Sequence, residues 1–111
     1  MNNKNLVRSA KAQYVPVRIR VTDNDIAEGN AGEPNSCPIA RSLKRVTLGG
    51  TSVSVMGETI TLCRNGKRYT RKAPNWVSRF VNSFDADGSW GVDPTRQTVN
   101  LPKPVLKRSN R

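Results

Sequence analysis

The tetrapeptide Arg64-Asn65-Gly66-Lys67 constrains the fold of this chain more than any other segment. Asn-Gly between two strand-like runs is typical of a type I′ β-turn, because both central residues must adopt positive φ. The turn predicts a hairpin and its register, with Leu62 opposite Tyr69 and Cys63 opposite Arg68. One face of this hairpin then carries Ile60, Leu62 and Tyr69, and the other carries Thr59, Thr61, Cys63, Arg68, Thr70 and Lys72.

Further strands are predicted on either side of the hairpin. Residues 15–21 alternate apolar and polar side chains, which is the period of a strand with one buried face. The run 53–62 is also strand-like, interrupted near Gly57, and 97–101 forms a last short strand. Between the first two strands, residues 22–35 hold four of the eight carboxylates among turn-forming residues. They predict a solvated loop, with a cation-binding loop as the alternative, although the spacing is not that of an EF-hand.

Two helices are predicted from apolar residues spaced three and four apart. The first begins after Asn35 or Ser36, either of which can cap it, and tolerates Pro38 in its first turn. Its apolar stripe consists of Ile39, Ala40, Leu43 and Val46. The second begins at Pro74 or Asn75, and its stripe consists of Trp76, Val77, Phe80, Val81 and Phe84.

These elements predict a single α+β domain. The expected architecture is a small sheet of about four strands, antiparallel or mixed, with two helices packed on one face. The domain is expected to span residues 14–101 of the 111. Residues 1–13 are interpreted as a flexible basic arm, and 102–111 as a basic tail whose two prolines oppose regular structure.

The charge balance favours polyanionic or acidic partners. Lys and Arg number 19 against 8 Asp and Glu, for a formal net charge of +11, and such a field promotes association with nucleic acid or acidic protein surfaces. No apolar run approaches the roughly 18 residues of a membrane span, and the polar N-terminus does not resemble a signal peptide. We therefore expect a cytoplasmic protein without a membrane partner.

The composition argues against catalysis, and the prediction is that the chain is not an enzyme. It contains no His, which excludes Ser-His and Cys-His nucleophile pairs, and Gly49-Gly50 lacks the lysine of a phosphate-binding loop. Cys37, expected at a helix N-terminus, is the one candidate nucleophile, although a small buried side chain is the simpler interpretation. Cys37 and Cys63 are expected to be free thiols, and no metal or cofactor is predicted.

Nucleic-acid binding is the function that the charge pattern favours. Cations crowd the predicted hairpin, and a two-stranded ribbon with a basic tip can track a phosphate backbone. We expect DNA or RNA binding with little sequence preference, because phosphate contacts carry no sequence information. The predicted contact residues are Arg41, Lys44 and Arg45 on the first helix and Arg64, Lys67, Arg68, Arg71 and Lys72 on the hairpin.

A protein-binding role is the alternative hypothesis. The same basic surface would then meet an acidic patch on a host protein, which it would modulate or inhibit, with charge setting the rate and orientation of association. Trp90, in a loop flanked by Gly and Ser, is either an exposed anchor for such an interface or a lid over the edge of the core.

Several motifs resemble a pattern in small uncharacterised proteins of bacteriophages and some bacteria. In that pattern an Ile-x-x-Gly loop precedes a Cys-Pro-(Ile/Val)-Ala helix start, and a later helix ends in Phe-Asp before a Gly and a Pro. The corresponding residues here are Ile26, Gly29, Gly32, Cys37-Pro38-Ile39-Ala40, Leu43, Phe80, Phe84-Asp85, Gly88 and Pro94. The resemblance implies an α+β fold and a phage origin, hence the host cytoplasm, and it brings no activity with it. The long basic termini of this chain depart from the pattern.

Overall fold

The structure, a computed structural model, describes residues 8–107. Within these residues six strands and three α-helices form an α+β fold, which confirms the predicted class. The strands are β1 (Arg8–Ser9), β2 (Tyr14–Val21), β3 (Ser52–Val55), β4 (Thr59–Arg64), β5 (Lys67–Lys72) and β6 (Thr95–Pro102). The helices are α1 (Asp23–Glu28), α2 (Pro38–Val46) and α3 (Asn75–Asp87), and short 3-10 turns cover Gly88–Gly91 and Lys103–Val105.

The strands belong to two sheets. A four-stranded mixed sheet has the order β1-β5-β4-β3, and β2 and β6 form a separate two-stranded antiparallel ribbon. The predicted hairpin is confirmed as β4–β5, with Leu62 opposite Tyr69 and Cys63 opposite Arg68. At its turn Asn65 and Gly66 have φ of 53° and 76°, as a type I′ turn requires.

The core lies between the helices and one face of the four-stranded sheet, with the ribbon completing it. Val53, Leu62 and Tyr69 are buried on the face of the sheet that the helices cover. The apolar stripes of both predicted helices are buried as expected, except for the half-buried Val46 and Trp76. The ribbon contributes Ile19, Val21, Val99 and Leu101 from its inner side.

The predicted solvated loop of residues 22–35 is wrong for its first part, which forms α1. Thr22 caps this helix in a reciprocal capping box, in which its hydroxyl accepts from Asp25 N and the Asp25 carboxylate accepts from Thr22 N. The sequence Thr-x-x-Asp supplies two of the acceptors that the free N–H groups of a helix start need, with Asp in the place that Glu or Gln usually takes.

The start of α2 also differs from the prediction. Cys37, rather than Asn35 or Ser36, occupies the N-cap, and its Sγ accepts from Ala40 N at 3.5 Å. Pro38 stands in the first turn as expected. A Cβ on Gly29 would come within 2.7 Å of the Pro38 ring, so the Gly of the Ile-x-x-Gly loop and the Pro of the helix start are packing partners.

The folded part extends beyond the predicted bounds of 14–101. Arg8 and Ser9 pair in parallel with Lys67 and Arg68. At the other terminus Val105 is buried, and the pair of residues Thr47 and Leu106 forms an isolated β-bridge. The remaining parts of the predicted arm and tail, 1–7 and 108–111, lie outside the described residues.

Candidate nucleic-acid interface

Two of the predicted contact residues on α2 bind a carboxylate of the chain itself. Arg45 approaches both oxygens of Asp25 at 2.6 Å, and the Nε of Arg41 lies 3.5 Å from Asp25 Oδ1 without hydrogen-bond geometry. Arg45 also donates to the carbonyl of Arg20 at 2.7 Å. These are the ion pairs found among residues 8–107, so Arg41 and Arg45 are already engaged in holding α1 against α2 and β2.

Asp25 is a charged group in the interior, and its surroundings keep it charged. Burial by itself raises the pKa of Asp25, but hydrogen bonds from Arg45 and Thr22 lower that pKa by more, so the net shift is downward. The same contact raises the pKa of Arg45. The pair is therefore ionised throughout the neutral range.

The third predicted helix residue, Lys44, donates to the carbonyl of Asn35 at 2.7 Å. Helix α2 packs on the covered face of the four-stranded sheet. The cations of α2 consequently lie on one side of that sheet, and two of the hairpin cations, Arg68 and Lys72, lie on the other. The structure does not bring the eight predicted residues into one surface.

The opposite face of the four-stranded sheet is uncovered by the described chain, and we call it the open face. Cross-strand pairing places Ser9, Arg68, Cys63 and Ser52 in one row across all four strands. The remaining outward positions belong to Ser54, Thr59, Thr61, Thr70 and Lys72. The open face therefore carries hydroxyls, a thiol and two cations, and none of the four strands contains a carboxylate.

A row of three cations crosses the end of the sheet beside the Asn-Gly turn, and we call it the hairpin end. Arg8 pairs with Lys67, which pairs with Arg64, and side chains of directly paired residues stand about 5 Å apart at Cβ. Because side chains alternate along a strand, these three positions belong to the side of the sheet that carries Leu62 and Tyr69, not to the open face. The Nε of Arg64 is buried and has no hydrogen-bond partner in the described chain. Such a concentration of like charge with an unsatisfied donor fits an anionic ligand.

Arg71 occupies neither surface. Because side chains alternate along a strand, it lies on the same side of β5 as Tyr69, where its guanidinium stacks over the ring of Tyr14 at 4.3 Å from the centroid. The five predicted hairpin cations thus divide between the open face, the hairpin end and this stacked pair.

One further basic patch lies outside the predicted contact residues. On the outer face of the ribbon, Arg20 pairs with Arg96, and Arg18 pairs with Thr98. The last strand begins at Thr95 rather than Gln97, so the prediction left Arg96 outside it. The alternation from Thr95 onward, read together with Arg18 and Arg20, was the available signal.

The two cysteines lie on opposite sides of the four-stranded sheet, and both are free thiols. Cys37 is buried at the N-cap of α2. Burial raises the pKa of its thiol above the ordinary value, although backbone N–H groups of the helix start lower it. Cys63 is half-buried on the open face. No group of three potential metal ligands occurs within residues 8–107.

No helix in the described part of the chain is both long and apolar enough to cross a membrane. No protein-family model, curated protein or solved structure matches this chain.

Proposed function

We propose that this protein binds DNA or RNA through the open face and the hairpin end, contacting the phosphate backbone with little sequence preference. The observation that carries the proposal is the composition of these two surfaces, which lie on either side of the hairpin: they carry cations and hydroxyl groups, and none of the four strands contains a carboxylate. Arg, Lys, Ser and Thr are the side chains that contact phosphate oxygens. With a phage origin, which the resemblance implies, the setting is the host cytoplasm.

The separation of opposite charges supports the proposal. The eight carboxylates lie in α1 and the loop after it, in the β3–β4 turn, and at or after the end of α3. Asp25 is neutralised by Arg45 and Arg41. Phosphates approaching the hairpin end therefore meet cations without competing carboxylates from the same strands, and release of counterions supplies the affinity.

The test compares two double variants of equal charge. Lys67→Ala/Arg68→Ala removes one exposed cation from the hairpin end and one from the open face, and Arg18→Ala/Arg20→Ala removes two from the outer face of the ribbon. Binding of a short duplex is measured over a range of salt. We expect the first variant to lower the slope of log K against log salt by about two, roughly one for each phosphate contact, on every DNA sequence tried, and the second to change it less.

Alkylation of Cys63 gives an independent measurement on the same surface. Bound nucleic acid should slow modification of Cys63 on the open face, while Cys37 stays unreactive because it is buried. Equal effects of the two double variants with no protection of Cys63 would overturn the site assignment. Absence of measurable binding near physiological salt would overturn the function.

A protein partner is the second candidate, favoured by one observation. Trp90 is 95% exposed and Met56 is 68% exposed, and a fully exposed Trp is typical of an interface anchor. A stoichiometric partner that is recovered from host lysate after nuclease treatment, and lost with Trp90→Ala, would support this function over nucleic-acid binding.

A further inference from the structure

A cleft of about 360 Å³ lies between the hairpin, the ribbon and the start of α3. Its apolar floor includes Leu62, Val99 and Leu101. Its polar lining comes from Tyr14, Tyr69, Arg71, Lys72, Asn75 and Asn100. No carboxylate lines it, so its polar groups are suited to an anionic or neutral ligand.

Tyr69 contributes a phenol side chain to the lining of this cleft. Its ring is buried in the fold, and its hydroxyl makes no hydrogen bond to the part of the chain that the structure describes. The hydroxyl is therefore available to donate to, or accept from, a ligand in the cleft. The ring of Tyr14 also lines the cleft. The pKa of the Tyr14 hydroxyl is raised, mainly by burial and to a smaller extent by Tyr69, against the opposing effect of Arg71.

The first turn of α3 borders the same cleft at Pro74 and Asn75 and has free backbone donors. Pro74 is the N-cap and offers no side-chain acceptor. Within residues 8–107 the N–H groups of Asn75 and Trp76 have no acceptor, whereas those of Val77 and Ser78 reach the Pro74 carbonyl. Uncapped N–H groups at the positive end of a 13-residue helix are a favourable position for a phosphate.

The stacked pair of Arg71 and Tyr14 contributes a planar surface at the cleft. Unpaired nucleobases stack on both guanidinium planes and aromatic rings. The outer edge of β5 pairs with β1 only at Lys67 and Arg68, which leaves Thr70–Lys72 unpaired in the described chain. A strand of nucleic acid on the open face can therefore cross this edge and enter the cleft.

We infer that the cleft binds one unpaired nucleotide, with its phosphate at the start of α3, its base stacked on the Arg71–Tyr14 pair, and a polar group bonded to Tyr69. This assignment rests on the proposed function, under which the nucleotide is the end of a strand or an unpaired base within one. A free nucleoside monophosphate has the same chemical groups and is the other possible source.

The experiment is a titration of ¹⁵N-labelled protein with adenosine 5′-monophosphate, adenosine and inorganic phosphate, followed by short single strands with and without a 5′-phosphate. We expect adenosine monophosphate to shift the amides of Tyr69, Asn75 and Trp76 and to bind more tightly than adenosine or phosphate alone. Tyr14→Ala should weaken it about tenfold through lost stacking, and Tyr69→Phe about fivefold through the lost hydrogen bond.

Tyr14→Phe, which keeps the ring, is the matched control and should bind nearly as tightly as the wild type. Arg71→Gln, at an exposed position, gives a second test of stacking should Tyr14→Ala unfold. A phosphorylated strand that binds more tightly than the free mononucleotide identifies a strand as the source, and the reverse identifies a free mononucleotide.

Different results would overturn the cleft assignment and the proposed function. If adenosine monophosphate shifts no cleft amide, or if inorganic phosphate binds equally well, the nucleotide assignment is overturned, while the salt response of Lys67→Ala/Arg68→Ala still supports the function. If the mononucleotide binds in the cleft but neither duplex nor single strand binds, the cleft assignment stands and the proposed function is overturned.

Discussion

Asp25 joins three parts of the molecule through one buried carboxylate. It caps α1 with Thr22, binds Arg45 and Arg41 of α2, and through Arg45 reaches the backbone of β2. Removing one partner of a buried pair costs more than the pair contributes, because the other charge is left without compensation. Arg41 and Arg45, which the sequence offers for phosphate binding, are thus better explained as part of the fold.

We expect Arg45→Met, which removes the main partner of Asp25, to lower the free energy of unfolding by about 3 kcal/mol at neutral pH. Arg79→Met, an exposed arginine on α3, is the control and should change it by less than about 0.5 kcal/mol. Urea denaturation measures both. A loss no larger than that of the control would show that solvent or Arg41 compensates Asp25.

The lowered pKa of Asp25 makes the same pair dependent on pH. The unfolded chain takes up the proton first, so the stabilisation is fully present above the ordinary carboxyl pKa of about 4. It is lost as the pH falls through the lower pKa of the folded state. The difference between wild type and Arg45→Met should accordingly shrink from pH 7 to pH 3, and a constant difference would contradict a charged Asp25.

Among the elements, the β4–β5 hairpin has the closest connection to the proposed function. Its turn sets the pairing that buries Tyr69 and directs Arg68 to the open face. A slip of one residue would exchange these two side chains. Its edge also receives β1, which brings Arg8 beside Lys67.

Gly66→Ala tests the turn, since Gly66 has a φ of 76° that a Cβ disfavours. We expect a loss of about 1–2 kcal/mol in the free energy of unfolding. Gly49→Ala is the matched control, because Gly49 does not have positive φ and a Cβ there meets nothing within 4 Å. Thermal denaturation followed by circular dichroism compares the two, and equal losses would argue against a type I′ turn.

At the scale of the whole molecule the net charge of +11 opposes folding. Like charges repel more strongly in the compact state than in the expanded chain, and salt screens them. The row of Arg8, Lys67 and Arg64 at the hairpin end is one source of this repulsion. The buried contacts of Asp25 are screened far less.

We therefore expect Tm to rise by a few degrees between about 20 mM and about 200 mM NaCl, as the Debye length falls from roughly 20 Å to roughly 7 Å. Lys67→Ala/Arg68→Ala, with net charge 11 − 2 = +9, should show a smaller rise. Scanning calorimetry at several salt concentrations gives the comparison. A Tm that falls with salt would mean that attractive surface pairs outweigh the repulsion.

Local chemistry determined much of the fold. The alternation of β2, the apolar stripes of α2 and α3, and the Asn65-Gly66 turn with its register are all readable from the sequence, because each depends on neighbouring residues and on backbone sterics. Helix α1 is an intermediate case. Its capping box is local, but its buried Asp25 depends on arginines that arrive with α2.

Only the tertiary structure decided which cations remain available. Arg45 and Arg68 are the same residue type in similarly basic segments, yet one binds Asp25 and the other faces outward. The pairing of Arg20 with Arg96, and the cleft between Tyr14, Tyr69 and the start of α3, join segments far apart in the chain. Periodicity predicts the face on which a side chain lies, but the group opposite that face is set by how the elements pack, and a distant carboxylate or aromatic ring leaves no mark on the local pattern.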